Sequence, residues 1–123
     1  MLSYTTIGAT NLDKSESFYT DLLAPLGVKT LFKTDRILFL GKSMDDIMLS
    51  ICIPHNQEKQ HCGNGNMFAI TPGSKEKCSE MYHKAIALGA TCEGEPGQRV
   101  PDLFYGAYFR DFDGNKVVFS HFG

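Results

Sequence analysis

The sequence lacks the features that mark several large classes of protein. Neither sign of charge dominates, because 12 Lys and Arg residues stand against 14 Asp and Glu residues, for a formal net charge of -2. Nucleic acid and anionic membrane surfaces are therefore not expected partners. No apolar run approaches the length that a bilayer crossing requires, and Lys and Arg are scattered along the chain rather than clustered.

The N-terminal residues also lack the basic and apolar regions of a secretory signal peptide. A cytoplasmic location is therefore expected, with the four cysteines present as reduced thiols. The length of 123 residues predicts one domain over residues 1–123, with enough chain to bury a core without disulfides.

The first half of the chain carries patterns typical of one helix and four strands. Uncharged residues predict a buried strand over 4–10, and Asn11 is a suitable cap for the helix that follows. Apolar residues at helical spacing extend that helix to about residue 24, where Pro25 and Gly27 end it. Three further strands are predicted at 28–32, 37–40 and 47–53.

The second half repeats this order after a polar stretch. Residues 55–65 are predicted to be a linker between module one, about 1–54, and module two, about 66–123. A strand is predicted at 67–71, and Ser74 caps a second helix that Gly89 closes. A brief strand at 90–93, a Pro/Gly loop at 95–102 and strands at 103–110 and 116–122 complete the pattern.

The repeated order predicts an α+β fold, because two similar units tend to cover one another. We expect two βαβββ modules whose curved mixed sheets face each other around a cleft, with the helices outside. The pattern leaves open whether the modules pair within one chain or by exchange across a dimer.

Several short motifs, in this order and at this spacing, resemble one known family. The first extends from Asn11 to Tyr19, and the last is the strand–turn–strand segment from Tyr108 to Asn115, in which Asp, Gly and Asn residues supply the turn. Between them lie Leu26-Gly27, Asn66 with Phe68-Ala69, Ala87 through Ala90, and Pro96-Gly97 with Arg99. Together they resemble the glyoxalase/bleomycin-resistance/dioxygenase family, also called the vicinal oxygen chelate family.

The resemblance implies a metal site whose ligands this chain does not carry. In metal-dependent members, a His, a His or Gln, and a Glu occupy the positions of Tyr4, Met67 and Val118. Valine has no lone pair, the methionine thioether suits soft ions, and a phenol binds a metal only after it loses its proton. About three protein ligands are needed for a catalytic metal, so neither a metal nor another cofactor is expected.

The resemblance instead favours a protein that binds a small organic molecule in the predicted cleft, as a homodimer. Catalytic residues are not assigned, and a lyase or dioxygenase activity like that of lactoylglutathione lyase is the alternative. A structural or regulatory dimer with a closed cleft is a second alternative. Strand alternation and the family pattern give these cleft candidates: Tyr4, Thr6, Met67, Arg99, Tyr108, Val118 and Ser120.

A separate set of possible zinc ligands lies in and beside the predicted linker. Cys52, His55, His61 and Cys62 offer good zinc ligands within a short stretch. Their spacing matches no established finger pattern. Cys52 is expected to behave as a small apolar residue of a core strand, which leaves zinc binding here as an alternative.

Overall fold

The computed structural model describes residues 1–123 and divides the chain into two compact units, Met1–Cys62 and Gly63–Gly123. Each unit contains one helix and one four-stranded mixed sheet. The predicted α+β fold, with a βαβββ order in each half, is confirmed. Neither helix has the length and apolar composition that a membrane crossing requires.

The first unit is built on the sheet order β1-β4-β3-β2. Strand β1 runs parallel to β4, and the other neighbours are antiparallel. Asn11 caps α1 by accepting a hydrogen bond from the backbone N–H of Lys14 at 3.0 Å. The elements are β1 Tyr4–Gly8, α1 Leu12–Leu23, β2 Lys29–Lys33, β3 Ile37–Gly41 and β4 Met48–Cys52, with a short 3-10 helix at Ala24–Leu26.

Helix α1 covers one face of this sheet. The Thr30 hydroxyl donates to the Glu16 carboxylate on α1 at 2.7 Å, and Thr30 pairs with Leu40, so these side chains share the helix side. This bond and the Lys33 ammonium hold the pKa of Glu16 below its ordinary value. The core between helix and sheet contains the buried side chains of Phe18, Tyr19, Leu22, Leu38, Leu40 and Ile51.

The second unit repeats the plan with the sheet order β5-β8-β7-β6. Its elements are β5 Phe68–Ile70, α2 Lys75–Ala87, β6 Thr91–Val100, β7 Phe104–Arg110 and β8 Lys116–Phe122. Ser74 caps α2 by accepting from the Lys77 N–H at 3.1 Å. On the helix side, the buried hydroxyl of Tyr82 meets the thiol of Cys92, and this contact raises the pKa of Tyr82 to about 12.

The prediction of a loop at 95–102 is wrong for most of that range, because β6 continues to Val100. This strand lies at the sheet edge and pairs only with β7. Three register shifts along the pair accommodate the glycines, and Pro96 is tolerated because an edge strand needs no donor on its outer side.

The turn between β7 and β8 is held by the buried carboxylate of Asp111. This carboxylate accepts from the backbone N–H groups of Asp113 and Asn115, each at 2.9 Å, and from the Asn115 side-chain amide at 3.0 Å. Gly114 adopts a φ of 85°, which favours glycine. The strongest local motif of the sequence is thus a self-contained hydrogen-bonded turn.

Candidate functional site

In the first unit, the sheet face away from α1 carries a group of aromatic rings. Tyr4 and Phe39 contact edge to face with centroids 4.9 Å apart, and Phe32 lies 5.8 Å from Phe39. Tyr4 and Phe32 are 46% and 48% exposed, which is unusual for rings of this size. We call Tyr4, Phe32 and Phe39, together with Thr6 and Ser50 beside them, the aromatic face.

Ser50 is the chemically unusual member of the aromatic face. It pairs with Thr6 on one side and Phe39 on the other, which places its side chain on the same sheet face as theirs. Its hydroxyl is fully buried and has no hydrogen-bond partner. Leaving a buried polar group unpaired costs about 1–3 kcal/mol.

Gln60 lies at one end of the aromatic face, against Gly8. A Cβ added to Gly8 would lie 2.8 Å from the Cβ of Gln60, so the Gln60 side chain rests directly on this glycine. The predicted linker therefore folds back on the first unit at this point. Cys52, which pairs with Gly8, points to this face as well.

In the second unit, the sheet face away from α2 includes three of the predicted candidates, Tyr108, Val118 and Ser120. Ala69 pairs with Val118, and Tyr108 pairs with Val118 from the other side, which puts the three side chains on one face. Ser120 pairs with Gly106 and follows Val118 by two residues. Val118 and Ser120 are buried, whereas Met67 lies just outside β5 and is 47% exposed.

Cations gather around Tyr108 on the same face. The Arg99 guanidinium lies 5.3 Å and the Lys116 ammonium 5.5 Å from the centre of the Tyr108 ring. Arg110 donates to the Gly114 carbonyl at 2.9 Å and to the Glu93 carboxylate at 3.0 Å. That ion pair holds the pKa of Glu93 below its ordinary value.

The residues at the expected metal positions do not fit a divalent metal. Val118 is a fully buried hydrocarbon side chain. The ring of Tyr4 packs edge to face with Phe39. Met67 offers only a soft thioether. No group of three or more His, Cys, Asp and Glu side chains converges anywhere in the chain, Cys52, His55, His61 and Cys62 included.

Several residues were not among the candidates predicted from the sequence: Phe32, Phe39, Ser50 and Lys116 on the two faces, and Gln60 at the end of the aromatic face. Phe39, Ser50 and Gln60 are ordinary core or linker residues in the pattern of the chain. A signal for Ser50 exists in the parallel pairing of β1 and β4, because Thr6 on one strand fixes Ser50 on the next. The folded-back position of Gln60 has no such signal, since it depends on the path of an irregular segment.

Comparisons of the sequence and of the structure with known proteins identify the same family. The model of one family, described as Glyoxalase/Bleomycin resistance protein/Dioxygenase superfamily, matches residues 1–119. No curated protein matches the chain. A solved glyoxalase/bleomycin resistance protein from Albidiferax ferrireducens is 33% identical, with a TM-score of 0.88 over 100% of this chain and 99% of that one.

More distant solved structures share the fold. A lactoylglutathione lyase from Agrobacterium tumefaciens is 22% identical with a TM-score of 0.72, covering 98% of this chain and 92% of its own. A glyoxalase/bleomycin resistance protein/dioxygenase family enzyme from Burkholderia phytofirmans is 17% identical with a TM-score of 0.77, covering 96% and 95%.

Proposed function

The chain belongs to the glyoxalase/bleomycin resistance protein/dioxygenase superfamily, and we propose that it binds a small organic molecule without using a divalent metal. The ligand contacts the aromatic face of the first unit. The observation that carries this proposal is the buried, unpartnered hydroxyl of Ser50 beside the half-exposed rings of Tyr4 and Phe32. Buried polar groups are nearly always paired, so an exception next to exposed rings favours a ligand.

The same geometry indicates what kind of molecule fits. Aromatic rings gain from stacking or edge contacts with another ring, beyond the area that they bury. A hydroxyl both donates and accepts, so Ser50 suits a ligand with one polar group attached to an aromatic or apolar body. This combination of an apolar surface and few polar groups is typical of small-molecule sites.

A thermal shift experiment tests this proposal. The protein is heated in the presence of EDTA with a panel of small aromatic alcohols, phenols and amides. We expect some of these compounds to raise the melting temperature, because a ligand that binds only the folded state stabilises it. The shift should shrink in Ser50→Ala and Phe39→Leu, each compared with its own ligand-free protein.

Phe112→Leu is the matched control, because Phe112 is an exposed ring of the second unit and is 39% exposed. This variant should respond to the compounds like the wild type. A panel in which no compound raises the melting temperature would contradict the proposal and favour a structural or regulatory role.

Metal-dependent lyase or dioxygenase chemistry has weaker support. The likeness to the Agrobacterium lactoylglutathione lyase is one of fold, at 22% identity. Tyr4, Met67 and Val118 stand where that chemistry needs nitrogen and carboxylate ligands.

We also propose that the protein is a homodimer. Support comes from large apolar side chains left exposed at one end of the second sheet: Val100 is 45%, Leu103 56% and Phe122 73% exposed. Exposed apolar patches of this kind mark interaction surfaces. Analytical ultracentrifugation should give twice the chain mass of 13.7 kDa. A mass equal to that of one chain would contradict this proposal.

A further inference from the structure

The second unit carries two cations that have no carboxylate partner. Arg99 and Lys116 both lie against the Tyr108 ring, and neither forms an ion pair. The Glu93 carboxylate feels the charge of Lys116 but forms its ion pair with Arg110, at 3.0 Å. This face therefore has an excess of positive charge in a protein whose formal net charge is -2.

The backbone around Arg99 leaves space for its guanidinium. A Cβ at Gly97 would lie 2.8 Å from Arg99 Nη1, and a Cβ at Gly94 would lie 3.2 Å from Nη2. Any other residue at Gly97 would displace the guanidinium. The Arg99 Nη2 group also donates to the Glu95 carbonyl oxygen, which holds the side chain over these glycines.

Tyr108 fits into the same arrangement. Its ring lies over two glycines, since a Cβ at Gly106 would be 3.1 Å from its Cε2 atom and a Cβ at Gly94 would be 3.2 Å from its Cδ2 atom. The ring attracts both cations through its π electrons. Two like charges held at one ring repel each other, and an anion placed beside them would remove that repulsion.

We propose that Arg99, Lys116 and Tyr108, the basic cluster, bind the carboxylate or phosphate group of an anionic ligand. This inference goes beyond the proposed function, because it concerns a site of the second unit alone. The guanidinium presents donors in a planar fork that matches either anion. The ammonium of Lys116 adds a second, more flexible charge.

Nuclear magnetic resonance titration of the full-length protein tests the inference with three probes. Benzoate carries a carboxylate, phenyl phosphate carries a phosphate, and benzyl alcohol has the same ring without charge. We expect the two anions to shift the amide signals of Gly94, Gly97 and Tyr108. Added salt should weaken the binding of both anions, because salt screens exposed charges.

Variants of Arg99 then assign the effect to this side chain. Arg99→Gln should lower the affinity for the anions by roughly tenfold or more, as expected for the loss of a charged hydrogen-bond donor, and Arg99→Lys should recover part of it. Lys77→Gln is the matched control. It removes one positive charge from an exposed position on α2 of the same unit, and should bind the anions like the wild type.

The probes separate this inference from the proposed function. A response to benzoate alone, to phenyl phosphate alone or to both supports the basic cluster and identifies the anion that it prefers. If benzyl alcohol shifts the signals of Tyr4 and Phe39 while neither anion depends on Arg99, the inference is overturned and the proposed function stands. Anion binding that Lys77→Gln weakens as much as Arg99→Gln would also overturn it.

Discussion

Tyr4 and Phe39 contact each other across a strand that separates them. Their ring centroids are 4.9 Å apart, although β4 lies between β1 and β3 in the sheet. The two rings therefore meet above β4, the strand that contributes Ser50. This arrangement explains how a polar side chain on a sheet face becomes buried while the rings beside it remain partly exposed.

Replacement of Ser50 should stabilise the ligand-free protein. The Ser50→Ala substitution removes a buried hydroxyl that has no partner and leaves the strand unchanged. We expect the free energy of unfolding to rise by about 1 kcal/mol in urea denaturation, because the desolvation cost of the hydroxyl disappears.

Ser15→Ala is the control for this result, since Ser15 is buried in α1 but is not without a partner. That variant should not gain stability. A loss of stability in Ser50→Ala would mean that the hydroxyl is satisfied in the folded protein.

Replacement of Asp111 should destabilise the second unit strongly. Its carboxylate accepts three hydrogen bonds within the turn, and Asp111→Ala leaves their donors without an acceptor. We expect a loss of about 2–4 kcal/mol in the free energy of unfolding. Asp35→Ala, at an exposed turn of the first unit, should change it by less than about 0.5 kcal/mol. A similar small change for Asp111→Ala would contradict the role given to this turn.

Stability should fall in acid partly through Glu16. The Thr30 hydroxyl and Lys33 lower the pKa of Glu16 in the folded state from its ordinary 4.5. Its contribution is therefore present above pH 4.5 and is lost as the pH falls through the lower folded-state value. Unfolding free energies of the wild type and Glu16→Gln should differ at pH 7 and converge in acid.

Glu80→Gln, at an exposed position on α2, serves as the comparison for Glu16. At pH 7 this substitution should change the free energy of unfolding by less than about 0.5 kcal/mol. A Glu16→Gln difference that stays constant from neutral to acid pH would refute the linkage.

Gly97→Ala should displace Arg99 without unfolding the sheet. The added Cβ would meet the flexible end of the Arg99 side chain at 2.8 Å, and the only backbone neighbour is the Glu95 oxygen at 4.0 Å. We expect weaker binding of benzoate and a change in unfolding free energy below about 0.5 kcal/mol. In an Arg99→Gln background the same substitution should have no further effect on binding, because the two changes act on one group. Additive losses would show that Gly97 acts independently of Arg99.

Much of the fold could be predicted from local sequence because the signals agree with one another. Asn11 and Ser74 mark the starts of both helices, and β8 begins and ends where its run of apolar and β-branched residues does. The prediction of a loop over residues 95–100 was wrong for a physical reason. Its Pro and Gly residues are typical of a loop, and only pairing with β7, through three register shifts, makes it a strand.

The candidate site was less predictable, since it depends on contacts between distant residues. Alternation placed Tyr4 and Thr6 on one face of their sheet, and Val118 and Ser120 on one face of theirs. The contact of Arg99 with Tyr108 depends on the irregular register of β6, which no local pattern encodes. Whether the buried hydroxyl of Ser50 has a partner likewise depends on every neighbouring group.

The most direct test of metal-independent binding compares one ligand in two preparations. The compound with the largest thermal shift is titrated calorimetrically into protein treated with EDTA, and into protein soaked in Zn, Ni, Mn and Fe, with bound metal measured by plasma mass spectrometry. We predict equal affinities and far less than one metal ion per chain in both. Binding that appears only in the soaked protein, with about one ion per chain, would contradict the account.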